Sequence, residues 1–255
     1  QFQPIYCIAC PCGTLVVFSF GKPAMSILPP SRFFPPAERA GPEGLLGIGG
    51  SLSPEWLLDA YGHGIFPWPM GSQDDPVPWF SPDPRAILPL DSVHVPRRLL
   101  RTIRGGRFTA TSDRDFAGVI RGCAQQRRGD GGTWITPQMI RAYQRLHKLG
   151  FAHSIEVWRG ERLAGGVYGV ALGGLFAGES MFHAERDASK VALVYLTEHL
   201  RRQGYVLFDI QQWTAHNAQF GAVEISRHDY LRQLAAALAM PVTFGVPSSL
   251  PAIGS

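Results

Sequence analysis

The chain has 255 residues, 45% of them apolar, enough for one large domain or two small ones around a sizeable core. Its 24 basic and 20 acidic residues leave a formal net charge of +4, too small to argue nucleic-acid binding from overall charge, so local clustering must carry any such argument. The apolar run from Ile5 to Phe20 is short of the ~20 residues of a membrane helix, is broken by Pro11 and Gly13, and has no basic residue before it, which speaks against a span or a signal peptide.

In chain order, Cys7, Cys10 and Cys12 come first, too few thiols for a four-ligand zinc site and with no later C-x-x-C pair to complete one, so no metal site is expected. Residues 1–24 read as an upstream extension or disordered tail, because the chain opens on Gln and Met25 is internal. Residues 25–43 are rich in Pro and polar side chains and read as irregular. Ser53-Pro54-Glu55 then starts a short helix, with Ser at the N-cap and Pro in the first turn, burying Leu57, Leu58 and Tyr61. The stretch from Phe66 to Pro84 holds several prolines and reads as a loop carrying Trp68, Trp79 and Phe80, of which Trp79 is the structural one. A small N-terminal domain is expected over residues 25–91 and a second domain over 92–255.

Arg97, Arg98, Arg101, Arg104 and Arg107 form the strongest charge cluster, with no acidic residue between Asp91 and Asp113. Positions 97, 101 and 104 share one helix face. The pattern reads as a solvated basic face or as a stripe that tracks phosphates. Cys123 falls on a helix with Phe116, Val119 and Ile120 and reads as a small core residue.

Thr136-Pro137 opens a helix that Gly150 closes, with Met139, Tyr143 and Leu146 at core spacing. Strands follow at Ser154 to Trp158, Leu163 to Ala171 and Leu175 to Ser180. Asp187 to Arg202 has a helical period with Leu193, Leu196 and Leu200 on one face, Gly204 stops it, and Val206 to Ile210 is the next strand. Ser226-x-x-Asp229 caps a last helix through about Ala239, Asp standing in for the Glu or Gln of a capping box.

The strand, crossover helix and parallel strand bring Glu179, Asp209 and Gln211 beside Phe176 and Met181. An apolar hollow flanked by a few convergent polar groups can hold a hydrophobic acyl group while an amine attacks it. Asp209 and Gln211, at i and i+2 of a strand, face the same way. Glu179 is the only acidic residue of an otherwise apolar or small segment, so it needs a partner: a bound cation, or a structural salt bridge to Arg186 or Lys190.

The chain resembles the leucyl/phenylalanyl-tRNA–protein transferase family over roughly residues 40 to 245. The resemblance rests on Gly44-Leu45-Leu46-Gly47-Ile48-Gly49-Gly50, Gly64-Ile65-Phe66-Pro67-Trp68, Trp79-Phe80-Ser81-Pro82-Asp83-Pro84-Arg85, Gly132-Thr133-Trp134-Ile135-Thr136 and His153-Ser154-Ile155-Glu156-Val157-Trp158. It rests further on the segments Gly173 to Phe182 and Phe208 to Gln212. It implies an α/β (α+β) fold: a small N-terminal domain and an N-acetyltransferase-like (GNAT-like) C-terminal domain, which the predicted element order matches.

The resemblance also implies an activity: moving Leu or Phe from charged tRNA to the N-terminal Arg or Lys of a protein, which marks that protein for degradation. On this reading Asp209 and Gln211 are the catalytic pair. The Asp, held against the Gln amide, turns the amide oxygen toward an amine that must lose a proton, its pKa being ~8. Glu179 binds the acceptor, and Val167, Phe176, Met181 and Leu196 form the aminoacyl pocket. Val167 and Leu196 depart from the family's Met and Phe, which bears on the preference among Leu, Phe and Met. Trp68 and Trp134 hold the terminal adenosine of the tRNA by stacking, and Arg97, Arg98, Arg101 and Arg104 meet its phosphates. No cofactor and no membrane partner are implied, and a cytoplasmic monomer is expected.

Two rival readings frame these expectations. An acyl-CoA-dependent N-acetyltransferase needs a glycine-bearing pyrophosphate loop before the crossover helix, and Arg186-Asp187-Ala188-Ser189-Lys190 has no glycine. The Gly47-x-Gly49 turn lacks the third glycine of a dinucleotide fingerprint, having Leu52 there. A non-catalytic RNA-binding module would use the arginines and tryptophans but leave Glu179, Asp209 and Gln211 idle.

Overall fold

The computed structural model of the chain describes residues 26–69, 75–126 and 135–245, together with the backbone of two short strands, β1 (Tyr6–Ala9) and β2 (Leu15–Phe18). These two strands fall in the segment read as an extension, and β2 pairs antiparallel with β3 (Leu45–Ile48). Helix α1 (Pro54–Gly62) buries Trp56, Leu57, Ala60 and Tyr61, with Pro54 in its first turn; Ser53 sits at its N-cap without a side-chain capping bond. The proline-rich stretch read as a loop contributes two short strands, β4 (Phe66–Pro67) and β5 (Pro78–Phe80). They complete a five-stranded sheet of order β1-β2-β3-β5-β4. Trp79 is fully buried in this sheet and donates its indole N–H to the Gly49 carbonyl at 2.7 Å.

Strand β6 (Arg85–Ile87) crosses into a second sheet, although it precedes Asp91. Helix α2 (Arg97–Arg104) follows, then β7 (Thr109–Ser112), α3 (Phe116–Gln125) and α4 (Pro137–Lys148). The Thr136 hydroxyl caps α4 by accepting from the Met139 amide, while Met139, Tyr143 and Leu146 are fully buried. A meander of β8 (Ala152–Arg159), β9 (Arg162–Leu172) and β10 (Leu175–His183) leads into helix α5 (Ala188–Gln203). Gly204 ends α5 at φ +86°, a left-handed conformation that glycine adopts without strain. Beyond it lie β11 (Leu207–Gln211), the short α6 (Ala215–Ala218), β12 (Val223–Ile225) and α7 (Arg227–Leu238), capped by Ser226.

The second sheet has the order β12-β6-β11-β10-β9-β8-β7. Among the described strands only β10 and β11 pair in parallel, joined by the α5 crossover, as the sequence pattern predicts. Helix α5 covers one face with α2 against it; α3, α4 and α7 cover the other, where they also meet the N-terminal elements. The mixed α/β architecture is thus the expected one. At one point the approach is so close that only glycine fits: a Cβ on Gly165 would lie 2.7 Å from that of Ala188, where α5 starts against β9.

Candidate active site

The site begins where the parallel pair ends. The β10–β11 register runs from Leu175↔Leu207 to Ala177↔Asp209, yet β10 continues to His183 and β11 to Gln211. Beyond that point β10 bulges against β9 between Gly178 and Ser180, and β11 bulges against β6 between Asp209 and Gln211. Bulges re-aim side chains and open ladders. Here the two splayed strands form opposite lips of a cavity of about 390 Å³. Leu88, Val167, Met181, Leu193, Phe208 and Ile210 give it an apolar wall, with Glu179, Gln211, Gln212 and Asn217 as polar groups and Trp68 at its margin.

Asp209 is 1% exposed and surrounded by donors. Its Oδ1 accepts from Arg85 Nε at 2.9 Å and from the Gln211 backbone N–H at 2.9 Å; its Oδ2 accepts from Arg85 Nη2 at 2.6 Å and from the Tyr230 hydroxyl at 2.8 Å. A carboxylate offers about four lone-pair sites, and all four are taken. Arg85 is itself held between the Phe66 and Tyr230 rings, at 4.7 and 4.5 Å, and donates to the Gly64 carbonyl at 3.1 Å. Gly64 has φ +74°, and a Cβ there would stand 2.8 Å from Leu231. Burial alone would lower the Arg85 pKa, but the Asp209 carboxylate beside it holds it above the ordinary guanidinium value.

This geometry alters one expectation. Asp209 does not lie against the side-chain amide of Gln211; it binds the backbone amide, and the bulge at Gln211 is the reason. Gln211 has φ +64°, uncommon for a residue with a side chain, and the Asp209 bond pins that conformation. The turned backbone sends the Gln211 amide to Glu179, where Nε2 donates to Oε1 at 2.8 Å.

Glu179 is 8% exposed, and among the described residues no cation lies against it. Neither Arg186 nor Lys190 pairs with it: Arg186 lies 3.9 Å from Asp187, and Lys190 donates to Gln219 at 3.3 Å. Its partners are neutral donors. Tyr61 of α1 donates to Oε1 at 2.7 Å and Tyr143 of α4 to Oε2 at 2.9 Å, and the two phenols also touch each other. Burial pushes the Glu179 pKa up to about 7; the three donors oppose the shift, and the Asp209 charge adds to it. Burial, with Glu179 alongside, also pushes both phenols well above their ordinary value.

The remaining predicted residues divide. Val167 and Met181 line the cavity, whereas Phe176 and Leu196, 0% and 1% exposed, are buried in the core between the sheet and α5, to which Leu196 belongs, and are not among the residues of its wall. Phe176 points to the α5 face, where Phe208, Tyr205 and Phe244 surround it. Leu193, one turn before Leu196, reaches the cavity in its place. Trp68 is half-buried, its ring 6.1 Å from Phe66 and 6.5 Å from Phe80; Trp134 lies outside the described residues. On α2, Leu99 and Ile103 are buried while Arg97, Arg98, Arg101 and Arg104 are exposed on the outer side. Arg107 is drawn off to Glu185 at 2.8 Å. Cys123 is buried. Among the described residues no group of His, Cys, Asp and Glu is arranged to hold a metal, and no helix is long and apolar enough to cross a membrane.

Arg85, Tyr61, Tyr143 and Tyr230 join the site only in the folded structure. The signal for Arg85 was available in principle, since a buried Asp on an interior strand demands a cation. Tyr61 and Tyr143 read as core positions, and helical spacing carries no information on what their hydroxyls meet.

Comparison with known proteins bears on this arrangement directly. The family model for leucyl/phenylalanyl-tRNA protein transferase matches residues 87–235, and that for its N-terminal domain matches residues 50–83. A leucyl/phenylalanyl-tRNA–protein transferase of Nitratidesulfovibrio vulgaris (strain DP4) is 55% identical over 213 residues, covering 83% of this chain and 90% of its own. One from Anaeromyxobacter sp. (strain Fw109-5) is 54% identical over 219 residues, covering 86% and 92%. Among solved structures, L-PGS from Bacillus licheniformis aligns with a TM-score of 0.36 at 14% identity, over 63% of this chain and 52% of that one, a likeness too loose to argue from. With the matched segments enclosing Asp209, Gln211 and both lips of the cavity, the chain belongs to the leucyl/phenylalanyl-tRNA–protein transferase family.

Proposed function

We propose that the chain transfers Leu or Phe, with Met as a third substrate, from aminoacyl-tRNA to the N-terminal Arg or Lys of acceptor proteins, marking them for degradation through the N-degron pathway. It works as a cytoplasmic monomer. The observation that carries the reading is the cavity in which an apolar wall of Val167, Met181, Leu193 and Phe208 adjoins Glu179 and Gln211. An aliphatic or aromatic side chain fills the wall, and the ester carbonyl lies toward the polar lip. The acceptor's ammonium and basic side chain meet Glu179.

Aminolysis of an aminoacyl ester needs no external energy source, so the protein's task is to place two substrates and to manage one proton. Gln211, with its Nε2 held by Glu179, presents its carbonyl oxygen to the incoming amine. Asp209 acts on the reaction through Gln211: it fixes the strained backbone that aims the amide. Trp68 and Trp134 stack on the terminal adenosine, and Arg97, Arg98, Arg101 and Arg104 follow the acceptor-stem phosphates.

Purified protein incubated with tRNA charged with Leu, Phe, Met or Ala, and with peptides starting in Arg, Lys or Glu, tests this. Leu and Phe should pass to the Arg and Lys peptides, and Gln211→Ala should lose most transfer while keeping its affinity for charged tRNA. Acetyl transfer from acetyl-CoA, or tRNA binding without transfer, would replace the reading by one of its rivals.

A further inference from the structure

We propose that Glu179 is the proton acceptor of the transfer reaction, taking a proton from the acceptor's α-ammonium, and that Tyr61 and Tyr143 are positioning residues built around that proton. The inference rests on the transferase reading above and assigns Glu179 a chemical step beyond acceptor binding.

Two carboxylates stand near the reacting space, and only one has room for a proton. Asp209 accepts four hydrogen bonds, two of them from Arg85, so a proton on it would have to disturb one of four donors and would take the counter-charge from a buried guanidinium. Glu179, which lines the cavity, accepts three, from Tyr61 and Gln211 on Oε1 and from Tyr143 on Oε2, which leaves one lone-pair site on Oε2 unfilled.

The proton count of the Tyr61–Tyr143–Glu179 triangle points the same way. It has three oxygen–oxygen contacts: Tyr61 to Glu179, Tyr143 to Glu179, and Tyr61 to Tyr143. With Glu179 ionised, two phenol protons serve three contacts, and one is left without a donor. A proton on Glu179 gives every contact a donor. The triangle therefore accommodates both states: the phenols donate to the ionised carboxyl, and one of them turns to accept when Glu179 carries a proton.

The groups facing Glu179 are Tyr61 of α1, Tyr143 of α4, Gln211 and Asp209 of β11 and, beyond Asp209, Arg85 of β6; Tyr168 of β9 stands edge-on to Tyr143 at 5.6 Å. None of these is a cation in contact with the carboxyl. The raised pKa of Glu179 agrees with this arrangement, placing it close to that of an α-amine.

Atoms and charges balance through the transfer. One proton of the α-ammonium passes to Glu179, and the freed nitrogen lone pair forms the C–N bond to the ester carbonyl carbon. As the C–O bond to the ribose breaks, the leaving oxygen takes a second proton from nitrogen, the third stays on the new amide, and Glu179 releases its proton to water.

The test is the single-turnover rate of Leu transfer at saturating Arg-starting peptide, followed against pH for the wild type, Tyr61→Phe and Tyr143→Phe. The wild-type rate should rise through about pH 7. Each Phe variant removes a donor that favours the ionised carboxyl, so its limb should move up by about one pH unit, slowing transfer about five- to tenfold at pH 7 with a gap that narrows at higher pH. Two separate variants guard against one that fails to fold. A limb unmoved in both, or an effect confined to acceptor KM, would overturn the inference and leave Glu179 as a binding group only. Absence of transfer by the wild type would overturn the transferase reading itself.

Discussion

Asp209 and Glu179 lie on neighbouring strands, both buried, and their surroundings treat them in opposite ways. Asp209 is locked against a guanidinium and has every lone pair filled; Glu179 meets two phenols and an amide, and no cation among the described residues. Burial costs either charge a great deal. The first site answers with an opposite charge and becomes a fixed strut; the second answers with neutral donors and remains a titrating group. One cleft thus divides its labour between a carboxylate that shapes the backbone and a carboxyl that exchanges a proton.

The contrast can be broken at its chemical end first. Glu179→Gln, which imitates the protonated carboxyl, should lower single-turnover transfer by about 100-fold or more at neutral pH. Wild-type turnover in that variant would make the two carboxylates equal bystanders. At its structural end, Arg85→Met strands a buried charge and should cost about 3–5 kcal/mol in urea unfolding. A destabilisation under ~1 kcal/mol would mean that Asp209 does not depend on its cation.

The third test separates the two by pH. Glu179 has a folded pKa of about 7 against an ordinary value of 4.5, so the folded chain keeps a proton that the unfolded chain has released between those values. Its contribution to stability is fully present below pH 4.5 and fades as pH rises through about 7, by about 3 kcal/mol in all. Urea titrations should show this decline in the wild type and a flatter profile in Glu179→Gln, and parallel profiles would contradict it.

How much of this was legible in the sequence follows from what each feature depends on. The starts of α4 at Thr136 and of α7 at Ser226 and the end of α5 at Gly204 are readable because caps are local, and the β10–α5–β11 crossover because its periodicity is local too. Strands β4 and β5 read as a loop, since their pairing is decided by partners far along the chain. The i, i+2 rule placed Asp209 and Gln211 on one side, yet it assumes a regular strand and could not foresee the bulge that swaps a side-chain contact for a backbone one. Phe176 and Leu196 matched the pocket by residue type, and the direction in which each points, a property of register and helix phase, put them in the core.

Smaller effects sharpen the outer part of the site. Trp68→Ala should weaken charged-tRNA binding by ~1–3 kcal/mol with the salt dependence unchanged, as befits a stacking interaction. Reversal of Arg101 and Arg104 to Glu should weaken binding whichever amino acid is carried, and make the log–log salt slope shallower by about 0.7 to 0.9 for each phosphate that is no longer neutralised. Identical slopes would remove α2 from the tRNA path.

The most direct measurement is of the proton itself: the carboxyl of Glu179, assigned by its disappearance in Glu179→Gln, followed against pH by carbon-13 NMR in the free protein. The expected midpoint lies near 7 and moves upward in Tyr61→Phe. A midpoint at the ordinary 4.5, or one indifferent to Tyr61, would contradict a proton-accepting Glu179.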